Sequence, residues 1–168
     1  MFLVGEKVVY KTNAVCNVES IETPAFLKAE GKKYYKLRYL YSNGNEVVYV
    51  PVDSGVNIRK IMSQKQAKEC FEILENVQIR DLQIKQPALL AEHFQMLLSD
   101  GSIEGTLKVL KEILIINKKK CEQGKKLRQI EEHYLVIVER AVTEELSVVL
   151  GKEMDEIREM INKAVFGE

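Results

Sequence analysis

The side chains best able to do chemistry in this 168-residue chain are few. They are His93 and His133, the cysteines Cys16, Cys70 and Cys121, and the carboxylate pairs Glu131-Glu132 and Glu144-Glu145. A hydrolytic site needs a nucleophile beside a base, and a zinc site needs His and Cys at ligand spacing. The chain contains no H-E-x-x-H, C-x-x-C or G-x-S-x-G, and no glycine-rich loop follows a strand to cradle phosphate. "GKKL" at 124–127 lacks the earlier glycine, the following Ser or Thr and the strand that a P-loop requires. His93 lies four residues from both Leu89 and Leu97 and reads as the rim of an apolar helix face. Cys16 and Cys70 fall at apolar positions and read as small core residues, and the glutamate pairs read as solvated helix faces. Cys121 sits among lysines, with no His or Asp nearby to make it catalytic. These residues assemble no acid, base and pocket. The chain reads as a non-enzyme with no metal or cofactor.

Charge offers one further feature. Lys+Arg and Asp+Glu both total 25, so no global field draws the chain to nucleic acid or membrane. Residues 1–80 carry 12 basic and 9 acidic side chains, which leaves the remainder with an acidic excess. Within that acidic half, Lys118, Lys119, Lys120, Lys125, Lys126 and Arg128 gather around Glu122. The cluster reads either as a solvated turn between helices or as a phosphate-contacting edge. Any DNA contact is expected there.

The elements that carry these residues have two periods. Valine and tyrosine alternate with turn formers over the first sixty residues, predicting strands at 7–10, 14–21, 33–41 and 45–51, with a short one near 57–61. Asn43-Gly44 between apolar runs predicts a tight hairpin, and Pro51 must end its strand or lie on an edge. Lys11-Thr12-Asn13, Thr23-Pro24 and Glu30-Gly31 mark turns. From Ser63 the period becomes helical, opening on a Ser63/Gln66 capping box. Polar residues 76–87 read as a hinge, and about four helices follow with breaks at "SDGS", the lysine cluster and Gly151. The expected fold is α+β, with a small β-barrel over 1–62 and an all-α helical bundle over 63–168. Three widely spaced cysteines suit reduced thiols. With no apolar run of about 20 residues and no signal-peptide pattern, the chain is expected to be cytoplasmic.

"FLVGEKVVYKTNAVCNVESIE", "YYKLRY" and "NEVVYVPVDSGVNIRKIMS" resemble the CarD/CdnL family of bacterial transcription regulators, whose N-terminal module is shared with transcription-repair coupling factor. The matching positions are Phe2, Val4, Gly5, Glu6, Val8, Val9, Tyr10, Ile21, Glu22, Tyr34 or Tyr35, Val50, Pro51 and Arg59. "SDGSIEGTLKVLKEIL" and "ERAVTEELS" extend the resemblance into the helices. It implies a Tudor-like barrel that binds the β subunit of RNA polymerase by strand addition, and a helical domain near promoter DNA that modulates open-complex stability. The implied polymerase contacts are Pro24, Ala25, Phe26 and Tyr49, with Val47 and Val50 on the same strand.

The chain departs from that pattern in several places. Arginines common in the family are replaced by Pro24 and Tyr49, so apolar and aromatic contact would stand in for charge-assisted contact. The usual proline after Val-Val-Tyr is Lys11, and two turn glycines are Ala14 and Cys16. Some members wedge DNA with a tryptophan followed by basic residues. This chain has no Trp, and the corresponding stretch is Pro87-Ala88-Leu89-Leu90. The rival expectation is a protein-interaction adaptor whose bundle binds a second protein rather than DNA.

Overall fold

Period-two alternation builds five strands: β1 (Lys7–Tyr10), β2 (Ala14–Glu22), β3 (Tyr34–Tyr39), β4 (Val47–Pro51) and β5 (Ile58–Lys60). The structure is a computed structural model that describes residues 1–11, 14–28, 31–54, 58–80 and 84–168. All pairings are antiparallel, in the order β4-β3-β2-β1-β5. The inward set, Val8, Cys16, Val18, Tyr35, Leu37 and Val50, forms one apolar core. Phe2 closes one side of it. Its N–H donates to the Tyr35 hydroxyl at 3.0 Å and its ring meets the Tyr35 ring edge-on at 5.7 Å.

Where a Tudor-like barrel was expected, the sheet does not close. β5 has three residues and pairs only with β1, so among the described residues β4 and β5 remain two separate edges. A bulge between Val18 and Ser20 leaves Glu19 outside the β2–β3 register. The Asn43-Gly44 hairpin also differs in its turn. Strand pairing ends with the Tyr39 N–H donating to the Glu46 carbonyl at 3.2 Å, and neither Asn43 nor Gly44 has positive φ. A longer loop, held in part by Ser42 Oγ donating to the Gly44 carbonyl at 2.6 Å, removes the need for a two-residue turn. Lys11 has φ +56°, a left-handed conformation that a proline ring forbids. A proline at this position would need another turn geometry. Thr12, Asn13, Glu30 and Asn57, which the sequence places in turns and at the start of the last strand, lie outside the described residues.

The chain divides into two units, Met1–Ile61 and Met62–Glu168. The second holds α1 (Gln64–Asn76), α2 (Pro87–Leu98), α3 (Ile103–Glu122), α4 (Gln129–Leu150) and α5 (Met154–Phe166). The Ser63/Gln66 capping box forms, with Ser63 accepting from the Gln66 N–H and Gln66 from the Ser63 N–H. The polar stretch after α1 lies within this unit and leads to α2, its residues 81–83 being outside those described. Leu74, Leu90, Phe94, Leu107, Leu110 and Ile157 are fully buried in the shared core. Gly105 permits the tightest approach, since a Cβ there would stand 2.1 Å from the Leu97 carbonyl oxygen. Lys111 reaches from α3 to the end of α1, donating to the Glu75 and Val77 carbonyls at 3.2 and 3.0 Å. A cation there meets the negative end of the helix, while desolvation holds its pKa below the usual lysine range.

Candidate docking edge and basic cluster

The two sheet edges present opposite chemistry. β5 is short and exposes Arg59 and Lys60, features that blunt an edge against pairing. β4 is longer and carries Val47, Val48, Tyr49, Val50 and Pro51, with no charge. Its polarity follows from the bonds at its two ends. The Tyr39 N–H donates to the Glu46 carbonyl, and the Val52 N–H donates to the Lys33 carbonyl at 3.0 Å. Alternation between them turns the main-chain groups of Val48 and Val50 toward β3, and those of Val47, Tyr49 and Pro51 outward. No strand pairs with this outer side among the described residues. Pro51 falls where its missing N–H costs the β3 ladder nothing.

The side chains named from the sequence take different places around this edge. Phe26 lies in a single 3-10 turn, Ala25–Leu27, and meets Tyr49 edge-on with ring centroids 5.1 Å apart. Phe26 is 66% exposed, Leu27 40% and Val47 37%, so the edge is flanked by an apolar surface. Ala25 is exposed beside them, whereas Pro24 is buried and starts the turn, its carbonyl accepting from the Leu27 N–H at 3.2 Å. Val50 is buried in the core, where its side chain meets Tyr35, Leu37 and their neighbours. The structure thus brings Phe26, Val47 and Tyr49 together on the open side.

One group at this edge escaped the sequence reading. Lys36 pairs across the sheet with Tyr49, and Arg38 with Val47. Glu19, pushed out of register by the bulge, bridges both cations, at 3.3 Å from Lys36 and in direct contact with the Arg38 guanidinium. That Arg38 contact, with Lys36 assisting and partial desolvation opposing, holds the Glu19 carboxyl below its usual range. A bulge has no period, so only a register would have revealed it.

The basic cluster is largely engaged within the fold. Glu131, read from the sequence as half of a solvated pair, is 1% exposed. It accepts from Lys120 Nζ at 2.8 Å, from Arg128 Nε and Nη2 at 3.0 and 2.8 Å, and from the Arg128 N–H at 2.8 Å. Arg128 also donates to the Lys85 and Ile84 carbonyls. Burial pushes the Glu131 carboxyl up, but the Arg128 and Lys120 bonds outweigh it and the net shift is downward. Lys118 lies 4.5 Å from the Phe166 ring centre and 3.6 Å from Glu168. Lys125 and Lys126 are exposed and make no ion pair among the described residues. Glu144 and Glu145 are buried as well, within a run from Val142 to Ser147 that is buried all round α4; Glu145 accepts from the Met62 N–H at 2.9 Å. His93 Nε2 sits within 3.0 Å of both Glu112 oxygens, so its rim position hides a hydrogen-bond partner. Among the described residues no group of His, Cys, Asp and Glu is placed to hold a metal, and no helix is long and apolar enough to cross a membrane.

An open, uncharged edge on a small antiparallel sheet is the feature that a strand-adding interaction domain requires. A family model described as the CarD-like/TRCF RID domain matches residues 2–62. The N-terminal unit is therefore similar to CarD-like/TRCF RID domains over nearly its whole length. These are protein-interaction domains rather than a catalytic family, and the likeness gives the chain a transcription-related, polymerase-interacting role in general. The matched residues include all five strands and end at the boundary of the helical unit. No curated protein matches the chain.

Proposed function

We propose that the chain is a non-enzymatic transcription regulator that docks on the β subunit of RNA polymerase by adding a strand of that subunit to β4. The observation that carries this reading is the outward main chain of Val47 and Tyr49, unpaired by any described strand and bordered by Phe26. Docking there would bring the helical unit to the polymerase. A bound regulator shifts open-complex stability by as much as its affinity differs between the closed and open states.

Val47→Pro tests the docking. The substitution removes an outward N–H while leaving the β3–β4 ladder intact. It costs one rung and leaves a guest carbonyl unsatisfied, together about 1–3 kcal/mol or roughly 5- to 150-fold in affinity. The measurement is binding of the full chain to the isolated β-subunit lobe, with Val47→Thr as control. Equal affinity for Val47→Pro and wild type would refute strand addition at β4.

A second reading is favoured by Glu131. Because it engages Lys120 and Arg128, few cations remain for phosphate, which supports a helical unit that contacts protein rather than promoter DNA.

A further inference from the structure

We infer that the β4 edge selects a guest strand whose side chain opposite Tyr49 is aliphatic rather than acidic, because Glu19 already engages both cations flanking that edge and the exposed Phe26–Tyr49 pair offers apolar contact. The inference rests on strand addition at β4 and concerns what that edge accepts. A side chain on a guest strand paired with β4 would stand directly opposite Tyr49 and project to the same face, with Cβ atoms about 4.5–5.5 Å apart. On that face the next strand offers Lys36 and Arg38, opposite Tyr49 and Val47. Unmasked, these would favour an Asp or Glu on the guest. Both are instead bridged by Glu19, which the bulge carries to a point between them. An acidic guest side chain would have to compete with Glu19 for cations it already engages, in a triad of net charge +1, and would lose its water for little return.

What the edge offers in place of charge is apolar area. Phe26 and Tyr49 form an edge-to-face pair, and Phe26, Leu27 and Val47 are exposed around it. A Val, Ile or Leu side chain set against that pair removes apolar surface on both partners from water. Selection by such contact has a signature that distinguishes it from charge-assisted docking: its affinity responds little to salt.

The experiment measures binding of the full chain to RNA polymerase from about 50 to about 500 mM NaCl, a range over which exposed ion pairs are progressively screened. The inference expects a change of less than about threefold for the wild type. It expects Phe26→Ala to lose about tenfold or more, as truncation of a central aromatic contact does. Lys36→Ala should stay within about twofold, since Lys36 is held by Glu19 rather than by the guest. Binding that Val47→Pro weakens, yet that falls tenfold with salt, survives Phe26→Ala, or is lost with Lys36→Ala, overturns aliphatic selection and leaves strand addition standing. Indifference to Val47→Pro overturns both.

Discussion

Replacing Glu131 by Gln asks how much of the helical unit rests on one buried anion. The carboxylate is 1% exposed and takes hydrogen bonds from Lys120, from the Arg128 side chain and from the Arg128 main chain. Through Arg128 it also fixes the Ile84 and Lys85 carbonyls, so it joins the end of α3, the start of α4 and the segment before α2. Breaking a buried charged network by removing one partner typically costs about 3–5 kcal/mol. Here the cations keep some access to water, at 22% for Lys120 and 33% for Arg128, and the amide retains part of the bonding, so the lower end, about 3 kcal/mol, is expected. With a urea m-value of about 2 kcal/mol per molar, the midpoint at pH 7 should drop by about 1.5 M. The folded-state pKa of Glu131 is depressed, so its contribution is fully present above the unfolded-state value and is lost as pH falls through the folded-state value. Urea titrations of both proteins at neutral pH and on the acid side of the ordinary glutamate range provide the assay. The gap between the midpoints should narrow in acid. Equal midpoints at pH 7, or a gap that stays constant into acid, would refute the assignment of Glu131 as an ionised keystone.

Three further outcomes are expected. Gly105→Ala drives a methyl group into the Leu97 carbonyl and forces α2 and α3 apart, costing about 1–3 kcal/mol in urea unfolding. Lys11→Gly relieves a left-handed residue and should stabilise the chain by up to about 1 kcal/mol, read as a rise in Tm, whereas Lys11→Pro should destabilise it. Titration of labelled duplex DNA against salt should give weak binding whose log–log slope is no steeper than about −2, set by Lys125 and Lys126 and lost when both are changed to alanine. A slope near −5 would show that the engaged cations leave their partners to hold phosphate.

Much of the front unit was legible because alternating valines and tyrosines broken by turn formers have one compact solution. From its missing donor alone, Pro51 announced that its strand ends there or lies on an edge. The turn type at Asn43-Gly44 was not legible, since the dipeptide that permits a tight turn does not compel one when flanking polar residues can extend the loop. Open edges rather than a closed barrel go with β5 pairing over only three of the described residues, a tertiary outcome that propensity does not encode. The glutamates show a similar gap. Glu131-Glu132 is an unremarkable acidic pair by composition, yet one member is buried and the other exposed. A usable signal was present in the spacing of Arg128 and Glu131, which permits a first-turn reciprocal bond, and in the lysines one helix earlier. At the open β4 edge, Phe26, Val47 and Tyr49 came from sequence resemblance, while Glu19 required the register.

Proline at position 51 gives the open border a terminus. Beyond Tyr49 an added ribbon finds an acceptor but no donor, so it must finish or veer away after a couple of rungs. A long, sticky polypeptide arriving from an unfolded neighbour would run out of partners at the same place. The ring that shortens the legitimate handshake therefore also discourages end-on stacking into fibres.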